Sequence, residues 1–94
     1  MMPIDPATGA LVESEITAQA KQIMTNVEAV LTQAGYAAAD VVKTTCFLSD
    51  IGNFAAFNQV YGEYFTGKPA RSCVAVKDLP KGALVEVEVI AYKD

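Results

Sequence analysis

Apolar residues recur at intervals of three and four between Ser14 and Ala34. Ile16, Ala20, Ile23, Val27, Val30, Leu31 and Ala34 form one stripe, and Thr17, Gln19, Lys21, Gln22, Thr25, Glu28 and Thr32 fall elsewhere. That period predicts an amphipathic helix over about 14–34 that packs against a sheet. Ser14 is placed to cap its start, and Gly35 to take the left-handed conformation that ends it. A second stripe, Phe54, Phe57, Val60, Tyr61, Tyr64 and Phe65, predicts a helix from about Asn53 to Phe65, stopped by Thr66-Gly67-Lys68-Pro69. The stripe is aromatic, but no basic residue interleaves it. It reads as core packing and not as a stacking platform for bases.

Three stretches follow the strand pattern. Val41–Leu48 is rich in β-branched residues. Lys68–Val76 opens with Pro69, which suits the first position of a strand. It then alternates, with Arg71, Cys73 and Ala75 on one face and Ser72, Val74 and Val76 on the other. Leu84–Ala91 puts Val85, Val87, Val89 and Ala91 on one face and Glu86 and Glu88 on the other. The last two stretches, joined through Lys77–Ala83, are expected to form an antiparallel hairpin. That pairing predicts one guanidinium, one thiol and two carboxylates gathered on one side of the sheet. Asp5-Pro6-Ala7-Thr8-Gly9 reads as a tight turn with no strand of useful length before it. The predicted order is α-β-α-β-β in an α/β domain, a small mixed sheet with two helices on one face. Its other face is expected to carry Val, Thr, Arg and Glu side chains and to be covered by another subunit.

Ninety-four residues make a single domain, 1–94. The net charge of −4 and the absence of any basic run count against a nucleic-acid partner. The chain has no histidine, which removes Ser-His-Asp and Cys-His catalysis and histidine metal sites. Cys46 and Cys73 lie inside predicted strands without metal-ligand spacing. Neither a metal nor an organic cofactor is expected. No apolar run has the length of a membrane span, and Met1–Pro6 lacks the features of a signal peptide. The expectation is a soluble, cytoplasmic protein with reduced thiols.

Five segments then acquire a further meaning. Pro3–Gly9, Asp40–Thr45, Asn53–Tyr61, Pro69–Val74 and Leu79–Glu88 together closely resemble the RidA/YjgF family. Members of that family are enamine/imine deaminases, also described as L-PSP endoribonucleases or translation inhibitors. The resemblance implies a chorismate-mutase-like fold assembled as a homotrimer around a central barrel, with sites in clefts between subunits. Carried over by position, Arg71 would bind a substrate carboxylate, Glu86 would handle water, Cys73 would line the site, and Asn58 would stand near the cleft. Glu88 is expected to be structural or barrel-lining. Family members usually begin with a β-hairpin carrying Gly-Pro-Tyr/Ser and Ser-Gly-Gln-Ile/Met-Pro segments, and this sequence opens at the last proline of the second. The aromatic and serine residues of that hairpin have no counterpart here. The expectation is therefore an unpaired sheet edge, weak binding of small carboxylates and poor deamination.

The expected reaction is hydrolysis of a 2-enamino or 2-imino acid, such as 2-aminoacrylate, to a 2-keto acid and ammonia. An arginine offers a planar fork for two parallel bonds to the carboxylate, and a carboxylate within reach can hold and deprotonate water. Two other classes compete: an RNA-directed endoribonuclease or translation inhibitor, and a catalytically weak ligand-binding oligomer.

Overall fold

The structure, a computed structural model, describes residues 1–94. Its elements run in the order β1 (Ile4–Asp5), β2 (Ala10–Leu11), α1 (Ile16–Gln33), β3 (Val41–Leu48), α2 (Phe54–Tyr64), β4 (Ala70–Ala75) and β5 (Val85–Ala91). The fold is the expected small α/β type, with one addition. The Asp5–Gly9 turn closes a two-residue hairpin, β1 against β2. Gly9 adopts φ +73 there, which a side chain would resist.

Helix α1 keeps its predicted span, but its cap differs. Glu15, not Ser14, is the N-cap, and its carboxylate accepts from the backbone N–H groups of Thr17 and Ala18. Those two bonds hold the carboxyl below the usual range. Gly35 closes the helix at φ +84, and Tyr36 N–H reaches back to the Leu31 carbonyl at 2.8 Å. Ala20, Ile23, Met24, Val27 and Leu31 are buried as one stripe. Val30, placed on that stripe by its spacing, is 53% exposed, and it borders a groove with Met1, Val87 and Val89.

The expected β4–β5 hairpin does not form. β3 is the central strand, parallel to β4 on one side and antiparallel to β5 on the other. A tight antiparallel hairpin uses a loop of a few residues, whereas residues 76–84 form a longer excursion with a short turn at Pro80–Gly82. Both ends of that excursion stay beside β3: Val76 N–H donates to Leu48 O, and Ser49 N–H donates to Leu84 O. Between β3 and β4 the chain runs through α2, the crossover that a parallel pair requires.

Register decides which side chains meet. Thr44 stands between Arg71 and Val89, and Cys46 between Cys73 and Val87. This face looks toward the helices and holds the core, with Cys46, Leu48, Phe57, Val85 and Val87 fully enclosed. Glu86 lies opposite Phe47, and Glu88 opposite Thr45, on the other face. That outer face also carries Val74, 46% exposed, and Ile90, 61% exposed. Of the Val, Thr, Arg and Glu side chains expected on this face, Val74, Thr45, Glu86 and Glu88 lie there, but Arg71 does not.

Two polar clamps tie the N-terminal segment and the start of β5 to α1. Gln19, left off the apolar stripe by its spacing, is 1% exposed. Its Nε2 donates to Glu13 O at 3.3 Å, and its Oε1 accepts from Leu84 N–H at 2.9 Å. Asn26 Nδ2 donates to Met2 O and to Ile4 O. At the outer edge of β5, the Met1 and Val87 backbones exchange two hydrogen bonds, so pairing there extends to one residue.

Gln19→Leu keeps volume and helix propensity but strands the Leu84 N–H inside the protein. We expect a loss of about 2 kcal/mol, the scale of a buried unsatisfied donor, read by urea denaturation. An unchanged midpoint would show that Leu84 finds another acceptor.

Candidate functional site

The last turns of α2, the 66–69 loop and the start of β4 border an open cavity of about 420 Å³. Its walls come from Asn58, Tyr61, Gly62 and Phe65, spaced so that they share one helix face, and from Thr66, Lys68, Pro69 and Arg71. The helix aromatics hold this wall together. Tyr61 packs between Phe57, centroid at 5.9 Å, and Phe65, centroid at 4.8 Å. The Tyr61 hydroxyl hydrogen-bonds Thr44 Oγ1 at 2.8 Å in the buried core. Burial raises the Tyr61 phenol above its ordinary range.

Arg71 is the centre of the site. Its guanidinium carbon lies 4.4 Å from the Tyr61 ring centroid and 5.5 Å from that of Phe54. Its Nη1 donates to Asn58 Oδ1 at 2.5 Å. The partner is a neutral amide and not a carboxylate. Stacked on aromatic faces and fixed at one corner, the fork keeps its other N–H groups for a ligand. No acidic residue lines the cavity. The register excludes a salt bridge from Arg71 to Glu86 or Glu88, because the sheet lies between them.

Arg71 and Asn58, both named from sequence, therefore come together. Cys73 follows Arg71 on the same face but packs toward Cys46 on β3 and does not line the cavity. Burial raises the Cys73 thiol, opposed in part by Arg71 and by the contact with Cys46, and burial pushes Cys46 up to about 11. Glu86 is half-buried on the outer face, remote from the guanidinium of its own chain. Sequence reasoning missed Tyr61, Thr66 and Lys68. Tyr61 carried a signal, since it follows Asn58 by three residues and shares its helix face. No group of three or more His, Cys, Asp or Glu side chains converges to hold a metal. No helix is long and apolar enough to cross a membrane.

Fold and site together define a small α/β protein with an arginine-centred pocket where a helix meets an edge strand. The family model described as Endoribonuclease L-PSP matches residues 1–93, and the chain belongs to this RidA/YjgF family. A 2-iminobutanoate/2-iminopropanoate deaminase of Salmonella typhimurium is 45% identical over 96 residues, covering 98% of this chain and 74% of the relative. A crystal structure from Thermotoga maritima, provisionally named an endoribonuclease, superposes with a TM-score of 0.96 at 41% identity, covering 99% of this chain and 74% of that one. The Escherichia coli protein TdcF, solved with bound serine, superposes at 0.92 with 36% identity, covering 99% and 76%.

Both thiols sit above their ordinary range, so each is protonated and unreactive near neutral pH. Labelling with a maleimide should be slow at pH 7 and accelerate as pH rises toward 9. Half-buried Cys73 should react first, and Cys46 only on unfolding. Rapid labelling at pH 7 would place a thiolate in the folded protein and reverse this reading.

Proposed function

We propose that the protein hydrolyses reactive 2-enamino and 2-imino acids to 2-keto acids and ammonia. The observation that carries this reading is the arginine fork: stacked, held by a neutral partner, and facing a cavity without acids. Such a fork suits a planar carboxylate held by two parallel bonds. The deaminase name of the Salmonella relative, and the serine held by TdcF, support an amino-acid-like ligand.

With the carboxylate fixed, the imine carbon takes the oxygen of water. The nitrogen takes a proton and leaves as ammonia as the C–N bond breaks. Glu86 is the acid we assign to the water. In one chain it lies across the sheet from Arg71, so a second copy must bring its own Glu86 to this fork. The outer face supports such an assembly: Val42, Val74 and Ile90 stand 46–61% exposed along it. The homotrimer implied by the family resemblance is the assembly we propose. Asn58 and Tyr61 act on the fork, and Cys73 packs beneath it.

An endoribonuclease would need cations tracking a phosphate backbone and an acid–base pair. The net charge of −4 and the absence of histidine weigh against it.

Arg71→Lys keeps a cation but loses the fork and part of the stacking. Ammonia release from freshly generated 2-aminoacrylate should fall at least about tenfold in kcat/KM, corresponding to about 1.4 kcal/mol, with the melting temperature nearly unchanged. Wild-type rates in the variant would place the carboxylate elsewhere. Cleavage of RNA by the wild type without ammonia release would favour the endoribonuclease.

A further inference from the structure

The cavity holds a second cation that the proposed reaction, as written, does not use. Lys68 lines the same walls as Arg71, and none of the eight lining residues is acidic. A chain with net charge −4 thus opens one pocket with two positive side chains and no counter-charge.

The backbone at Lys68 makes this placement costly. Lys68 sits at φ +53, a left-handed conformation that a lysine adopts rarely and a glycine readily. Gly67 is its neighbour, and its conformation is not left-handed. The turn closes with Lys68 N–H on Phe65 O at 3.2 Å, and Pro69 restricts the residue before it. Turn formation alone does not call for a lysine at this position. A ligand with a second negative charge would use it.

We infer that Lys68 makes the pocket selective for 2-imino acids whose side chain ends in a second carboxylate. The inference rests on the deaminase reading for the reaction, but its binding test does not need turnover. Arg71 takes the carboxylate beside the imine, and Lys68 takes the one at the far end. Hydrolysis then yields a 2-oxo dicarboxylic acid and ammonia, with water supplying the oxygen and the imine nitrogen leaving. A cavity of about 420 Å³ has room for such a molecule. Lys68 is exposed, so its contribution is screened by salt.

The test compares 2-oxoglutarate with 2-oxopentanoate, equal in chain length but uncharged at the far end. Titration calorimetry should show the dicarboxylate binding up to roughly fivefold tighter, the upper end for an exposed charge pair. Lys68→Asn, a substitution that tolerates left-handed backbone, should bring that ratio close to one. Lys68→Glu should invert it, and high salt should shrink it. Equal binding of the two acids by the wild type, or a ratio unaltered by either substitution, would overturn the inference. Ammonia release is measured in parallel from the imines of glutamate and norvaline. Selective binding without ammonia release from any imine refutes the deaminase reading and leaves the two-cation pocket standing. Ammonia release without selectivity does the reverse.

Discussion

The contact between Arg71 and the face of Tyr61 ties the site to the fold. It asks for an arginine on the helix-facing side of β4, where apolar residues are the rule. The edge position makes that possible. The aliphatic stem can lie along the core margin while the guanidinium covers two aromatic rings and reaches Asn58. Tyr61 is in turn fixed by Thr44 and flanked by Phe57 and Phe65. The fork is therefore held by residues of α2 and, through Tyr61, by the central strand. A site built on packed elements keeps its geometry better than one built on loops.

The same arrangement divides the chemistry. The inner face of the sheet carries the fork, and the outer face carries the carboxylates with the exposed apolar residues. A single chain thus presents an arginine-bearing half and, across the sheet, an acid-bearing half. Association through the outer face would bury apolar side chains and bring together groups that one chain keeps apart. Assembly and catalysis would then depend on the same surface.

Much of this was legible from periodicity. The strand at Val41–Leu48, the left-handed Gly35 and the alternation of Arg71 with Ser72 and of Val85 with Glu86 all match the structure. Alternation fixes faces within a strand, but it does not say which strands are neighbours. The hairpin expectation matched the wrong faces of β4 and β5, so it set Arg71 beside Glu86 and Glu88. The length of the 76–84 excursion was the missed signal. Gln19 escaped because helical spacing marks it polar, and its burial depends on a bond to Leu84, far along the chain. Glu15 took the cap from Ser14 because its longer side chain folds back onto the first turn. Lys68 was legible only as part of a helix stop, because cavity walls drawn from three elements leave no period in the sequence.

The claim that two copies share one site is open to direct measurement by co-expression of Arg71→Lys and Glu86→Gln chains, each expected to be strongly impaired alone. If the fork of one subunit works with the carboxylate of another, random mixing in a cyclic assembly leaves intact sites and restores roughly a quarter of wild-type ammonia release. Mixed assemblies no more active than the parent variants would contradict the account, because both groups would then have to come from the same chain.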